Sequence, residues 1–199
     1  MEELVEKVVP LKSRSSLLCS LADAWEREGE TEKARRGFEQ IIAWDAAEQH
    51  IDHARGHMYE LDNLNVGQLA PQFRLPDIDG NRVDLADYQG KVVVLHFWST
   101  TCSMCKFIYP SLRNIAQEYS EDEVALIGIS SDMDFDAQFT WPQICEGNGW
   151  KDTVFKLYNV DRMPIEYIID RDGKVAFKLG GGGKGSGEKV EEAVRSLVI

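Results

Sequence analysis

Val92-Val93-Val94-Leu95-His96-Phe97-Trp98-Ser99-Thr100-Thr101-Cys102-Ser103-Met104-Cys105-Lys106-Phe107 is the stretch on which the fold turns. Four apolar residues in a row, Val92 to Leu95, read as a strand buried on both faces, as in the middle of a parallel sheet. A short polar segment follows, then two cysteines with two residues between them, then a helical pattern. Sulfurs at the start of a helix lie beside unsatisfied backbone N–H groups and the positive end of the dipole. Such surroundings lower a thiol's pKa, and the thiolate is the form that attacks a disulfide. Cys102, nearer the helix end and solvent, is the expected attacking sulfur. Cys105, one turn in, is expected to resolve the mixed disulfide. Lys106 adds positive charge beside them.

Downstream, Phe107 to Tyr119 reads as a helix. Phe107, Ile108, Leu112, Ile115 and Ala116 fall on one face, and Pro110 is expected to kink the first turns. Val124 to Ser130 is a second buried strand. Asp134 to about Cys145 is predicted helical, with an interruption near Pro142. Gly147 to Trp150 is a loop. Ile165 to Asp170 and Val175 to Leu179 are strands joined by the Arg171-Asp172-Gly173 turn. Gly180 to Gly187 holds six glycines. Lys184 is followed by Gly185, so the stretch fails the phosphate-loop pattern, and it reads as a flexible connection. Glu188 to Val198 closes the chain with an amphipathic helix through Val190, Ala193, Val194 and Leu197. The order β-α-β-α-β-β-α is an α/β arrangement: two parallel strands, then an antiparallel hairpin, with helices on both faces.

Upstream, Ala70 to Asn81 carries two prolines and an Asp-Gly turn, giving a short strand, a turn and a strand returning through Val83. Leu85 to Gly90 is a short turn. Asn63 to Gly67 reads as a linker. It divides a helical extension, residues 1–62, from an α/β domain, residues 66–199. Within the extension, Leu17, Leu18, Leu21, Ala22 and Trp25 are expected on one helical face. Glu28-Gly29-Glu30 breaks the pattern, and Ala34, Phe38, Ile41 and Ile42 mark a second face. The spacing resembles one tetratricopeptide unit of ~34 residues, without its terminal proline and without a second copy. A lone unit cannot bury both its faces, so it is expected to pack on the following domain, on a third helix from about Asp45 to Leu61, or on another subunit. His50, His53 and His57 lie near one face of that third helix. Offsets of three and four leave metal binding open, but they match no zinc spacing and the preferred reading is a solvated face.

The chain has 199 residues, 43% of them hydrophobic and 28% charged, with a net charge of -12. That excess of negative charge disfavours nucleic acid and anionic lipid as partners. No apolar run approaches the ~20 residues of a membrane span. The four cysteines, Cys19, Cys102, Cys105 and Cys145, are too few and too uneven for a structural disulfide framework. Cys19 and Cys145 are read as inert thiols. A zinc site at Cys102 and Cys105 would need two further ligands, and neither a second cysteine pair nor a histidine after His96 supplies them. The expectation is no metal.

Phe97-Trp98-x-x-x-Cys102-x-x-Cys105, with Met163-Pro164 far downstream, resembles the thioredoxin superfamily. Four further stretches sharpen the likeness: Ala70-Pro71-x-Phe73; Gly80 with Leu85 to Gly90-Lys91; Tyr158-Asn159-Val160-x-x-Met163-Pro164; and Ile168-Ile169-Asp170-x-x-Gly173-Lys174. Together they look like the TlpA/ResA-type thiol–disulfide oxidoreductases, in the broader alkyl hydroperoxide reductase/redoxin group. The likeness spans Val66 to Ile199. It implies a thioredoxin fold with an N-terminal β-hairpin and exchange with protein disulfides, without a cofactor. It also implies a redox partner, and substrate contacts at Trp98, Met163 and Pro164. Pro164 matches the family's cis-proline. By resemblance, Met163 offers its backbone to the substrate's extended segment and shields the sulfurs from metals. The compartment is left as extracytoplasmic if a leader has been removed, and cytoplasmic otherwise.

Two features depart from the pattern, and a third residue is weighed beside them. His96 stands six residues before Cys102, where thioredoxin has a buried acid that relays a proton. Imidazole titrates near neutrality, so His96 is a candidate proton acceptor for Cys105, beside the alternative of a buried, hydrogen-bonded histidine. Ser103-Met104 replaces the Gly-Pro of thioredoxin, and these two residues tune the redox potential. Glu166, two residues after Pro164, is a further candidate acid near the site, but the preferred reading is a sheet-surface residue. Two other functions are weighed against the leading one. A peroxidase of the peroxiredoxin kind uses Pro-x-x-x-Thr/Ser-x-x-Cys; Ser99 fits, but Leu95 stands where the proline belongs. A binding or adaptor module would recruit a partner, or dimerise, through the N-terminal helices.

Overall fold

Gly29, at φ 77, ends the first helix in a conformation that costs glycine little. The helices either side of it are α1, Leu11–Arg27, and α2, Thr31–Ala43; α3, Glu48–Asn63, follows. The computed structural model describes residues 11–44, 46–132 and 139–198. They form two compact units, one ending at Asn63 and one beginning at Leu64.

The first unit buries Cys19 and Ala22 of α1, Ala34, Phe38 and Ile41 of α2, and Ala54 and Leu61 of α3. Small residues let the helices close up: a Cβ on Gly37 would sit 3.0 Å from that of Ala22. Leu17 and Leu21 were expected inside, but they are 68% and 46% exposed. The buried stripe of α1 runs instead through Ser15, Cys19 and Ala22, with Leu18 and Trp25 at its edge. The histidines of α3 correct a second expectation. They do not form a solvated face but turn towards α1, where His50 meets Ser15, His53 meets Asp23 and His57 meets Glu26.

The second unit opens with the expected hairpin of β1, Arg74–Pro76, and β2, Arg82–Asp84, paired antiparallel. Asp77 closes the turn by accepting from the N–H groups of Asp79 and Asn81. Among the described residues the main sheet has five strands: β3 (Val92–Trp98), β4 (Val124–Ser130), β5 (Gln143–Ile144), β6 (Ile165–Ile169) and β7 (Val175–Gly180). Their order is β5-β4-β3-β6-β7. β3 runs parallel to β4 and antiparallel to β6, and β6 to β7 is antiparallel. This is the thioredoxin fold.

Every residue of β3, β4 and β6 is buried, as strands covered on both faces require. Side-chain alternation divides the work. Val92, Val94 and Ile168 face α4 (Tyr109–Glu118) and α6 (Ser186–Val198), in a core with Ile108, Leu112, Ile115 and Val190. Phe97 packs with Phe155, Tyr158 and Tyr167, of which Phe155 comes from the short helix α5, Thr153–Leu157. Among the described residues, no helix is long and apolar enough to cross a membrane.

Three expectations shift. α4 starts at Tyr109, after a tighter turn at Cys105–Phe107, and Pro110 sits in its first turn. A proline there gives up an N–H that has no helical partner, so it starts the helix rather than kinking it. The helix expected over 134–145 falls partly on 133–138, outside the described residues. Its end is the edge strand β5, parallel to β4. The Gln143 side chain fills the space that a Cβ on Gly128 would take and accepts from Trp98 Nε1 at 3.0 Å. The supposed linker is partly tied down, since Gly67 donates to the Val175 carbonyl and Val175 to that of Gln68.

Candidate active site

β3 delivers its last residues, His96 and Trp98, to the end of the sheet from which the cysteine loop departs. Alternation places both on the α4 face, with Val94. The loop that follows is held at its start by Asp132, which accepts from Thr100 N–H at 2.8 Å and from the Thr100 and Ser130 hydroxyls. Cys102 and Cys105 come next, joined as a disulfide with their Cα atoms 5.4 Å apart. Cys105 N–H points at Cys102 Sγ, 3.1 Å away. Cys102 is half-buried and Cys105 fully buried, with Ser103, Met104 and Phe107 exposed around them.

Directly across the sheet from His96 is Glu166. The two are 2% and 1% exposed, and His96 Nδ1 lies 2.8 Å from Glu166 Oε1. Glu166 is therefore no surface residue. An ionised carboxylate can only accept, so with Glu166 ionised Nδ1–H donates to it, and a neutral imidazole then carries its lone pair on Nε2. His96 Nε2 is buried and has no hydrogen-bond partner among the described residues. The imidazole stacks parallel to Trp98 at 6.4 Å and meets the edge of Tyr109 at 5.9 Å, which ties β3 to the helix that follows the dithiol. Burial, with the negative charge of Asp132, pushes the Tyr109 hydroxyl up to about 12. Trp98, expected to touch substrate, is 3% exposed and walled in by His96, Tyr109 and Phe139.

The Met163–Pro164 peptide bond is cis. Met163 is half-buried, with the Ser131 hydroxyl 3.8 Å from its sulfur. The glycine segment brings this loop and the dithiol together. Gly181 N–H donates to the Pro164 carbonyl at 3.0 Å, and its neighbour Gly182 lies so close to Met104 that a Cβ would collide with the Met104 backbone. Gly187 likewise has no room for a Cβ beside Ser111 of α4. These glycines thus serve close approach, which a reading as flexible connection missed. Asp132 and Gly182 escaped the sequence reading, whereas Glu166 was named there as a candidate acid near the site but placed by preference on the sheet surface. The signal for Glu166 was its place two residues past Pro164, in a strand otherwise wholly apolar.

Of the other thiols, Cys19 is buried in the helical unit, and burial pushes it up. Cys145 is half-buried, with Sγ 2.9 Å from the Asp132 carbonyl. Among the described residues, no His, Asp, Glu or Cys cluster fit to hold a metal includes Cys102 or Cys105.

Against known proteins, the AhpC/TSA family matches residues 66–190. The thiol-disulfide oxidoreductase ResA of Bacillus thuringiensis subsp. konkukian is 28% identical over 153 residues, covering 72% of this chain and 84% of the relative. ResA of Geobacillus kaustophilus is 32% identical over 118 residues, 55% of this chain and 66% of its own. Among solved structures, a thiol:disulfide interchange protein DsbE from Chlorobium tepidum superposes with a TM-score of 0.61 at 25% identity, over 68% of this chain and 99% of that one. The C-terminal domain of a thiol-disulfide oxidoreductase from Bacteroides thetaiotaomicron gives 0.56 at 27% identity, over 66% and 97%. The family match leaves the helical unit uncovered.

Proposed function

We propose the following exchange cycle for a chain that, by its match over residues 66–190, belongs to the AhpC/TSA family. The protein is a thiol–disulfide oxidoreductase. In the reduced form, the Cys102 thiolate attacks one sulfur of a partner disulfide, and the partner's other sulfur leaves as a thiolate. Cys105 gives its proton to His96 Nε2 and attacks Cys102 Sγ. The partner departs with both its sulfurs reduced, and the two electrons it gained leave the Cys102–Cys105 disulfide behind. Run backwards, the same steps oxidise a partner dithiol. Met163 lends its backbone to the partner's extended segment, with Pro164 setting its direction.

The observation that carries this reading is the asymmetry of the pair: one sulfur half-exposed at the start of a turn, the other fully buried. Turnover of insulin disulfides by the reduced chain tests it. Cys102→Ser should abolish turnover, and Cys105→Ser should accumulate a mixed disulfide visible on a non-reducing gel. Wild-type inertness in such assays would refute the reading.

The buried Nε2, which has no hydrogen-bond partner among the described residues, supports His96 as proton acceptor, with Glu166 as the residue that fixes its tautomer. Both His96→Ala and Glu166→Gln should change the pH profile of exchange. An unchanged profile in His96→Ala would remove the assignment. A peroxidase function finds less support. Leu95 is fully buried mid-strand where a proline would be needed, and the Ser99 hydroxyl is bonded to that of Thr101 at 3.1 Å.

A further inference from the structure

The helical unit carries chemistry that disulfide exchange does not use. On the seam between α1 and α3, Asp23 Oδ1 lies 2.8 Å from His53 Nε2 and 3.7 Å from His57 Nε2. His53 and His57 are four residues apart on one helix face, with ring centroids 4.4 Å apart. Two imidazole nitrogens and one carboxylate oxygen thus converge on one point. We propose that Asp23, His53 and His57 form a binding site for a divalent transition-metal ion, with Glu26 orienting His57.

The distances fit. Ligand atoms about 2.0–2.1 Å from a tetrahedral zinc lie roughly 3.3 Å from each other, and the two carboxylate–imidazole separations straddle that value. The longer one exceeds hydrogen-bond range, so His57 Nε2 faces Asp23 across a gap that a cation would close. The surroundings fit as well. Metal-bound histidines characteristically donate the other ring N–H to a carboxylate, and His57 Nδ1 lies 2.6 Å from Glu26 Oε2. Phe38, fully buried, stacks on His57 at 4.9 Å and meets His53 edge-on at 6.2 Å, so both rings are already braced. All three ligands are half-buried, which leaves the remaining position open to water. His50 is no member of the set; it is engaged by Ser15. Glu60 also lies within 4.8 Å of a ring nitrogen of His57 and of a Glu26 carboxylate oxygen, and adds negative charge there. Two imidazoles with one carboxylate suit zinc and its neighbours rather than calcium or magnesium. Ligands from α1 and α3 would clip together helices that are about thirty residues apart in sequence, in a unit with a small core.

The test is calorimetric titration of Zn2+ into the full chain, with Cys102 and Cys105 kept as the disulfide so that they cannot bind metal. The expected result is saturable uptake of one ion per chain and a thermal midpoint raised by Zn2+. The His53→Ala/His57→Ala variant should lose both. Glu26→Gln should weaken binding roughly 10–100-fold. If the double variant loses helicity by circular dichroism, His53→Gln, which keeps an amide for Asp23, carries the same test. Disulfide exchange should be unchanged in all these variants. No saturable uptake by the wild type, or equal uptake by the folded variants, would overturn the site.

Discussion

Removing the imidazole at position 96 would leave a carboxyl that is 1% exposed without the group opposite it. Leaving a buried polar group without its hydrogen-bond partner costs roughly 1–3 kcal/mol, whereas replacing both partners with apolar groups can be nearly neutral. His96→Leu should therefore lower the urea midpoint far more than the double variant His96→Leu/Glu166→Leu, and equal losses would contradict the pairing. Asp152 poses a different problem. It is 2% exposed; one oxygen accepts from Asn148 N–H and the other has no partner among the described residues. Burial pushes its pKa up from the ordinary 3.8. The folded chain then holds this proton more tightly than the unfolded one. The associated stability is full below pH 3.8 and is lost as pH rises through the raised value. Asp152→Asn should gain over wild type as pH is raised across that window, read from denaturation midpoints; a flat difference would refute it. Single residues were legible where a motif fixed them, as at Cys102, Cys105 and Pro164. The place of His96 near the end of β3, ahead of the cysteine loop, was legible by its offset from Cys102, while its role as proton acceptor is a proposal. Glu166 was noticed but its burial was not legible, because strand alternation alone does not say whether both faces of a sheet are covered.

Elements were legible wherever period and composition agreed. β3, β4 and the closing helix α6 fall within two residues of expectation. The misreadings have local physical causes. Pro110 looks the same to a sequence pattern whether it starts a helix or bends one. Gln143–Ile144 became a strand because Gly128 leaves room for the Gln143 amide, a contact with no sequence signature. The glycine segment is the strongest case, since glycine is enriched both in flexible links and wherever two backbones touch. The second meaning applies at Gly182. Gly182→Ala would push a methyl group against the Met104 carbonyl and Cβ. The expected cost is about 1–3 kcal/mol from overpacking, with slower insulin reduction as the loop between the cysteines is displaced. Unaltered kinetics would show that the loop yields freely.

The whole molecule divides at residues 63 and 64. The second unit has its own core, and the family match lies within it. A chain cut to residues 64–199 should fold and reduce insulin at a rate comparable with the full chain; loss of cooperative unfolding would contradict this. Where the cut is made matters. One edge of the five-stranded sheet is β5, only two residues long. At the other edge, β7 begins beside residues 67–69, which bond to Val175 and bridge to Lys174. That strip works as a selvedge, closing off backbone groups on which a neighbouring molecule could start a new strand. Starting the chain at Ala70 would unpick it, and light scattering should then reveal slow self-association on storage that the version starting at Leu64 does not show.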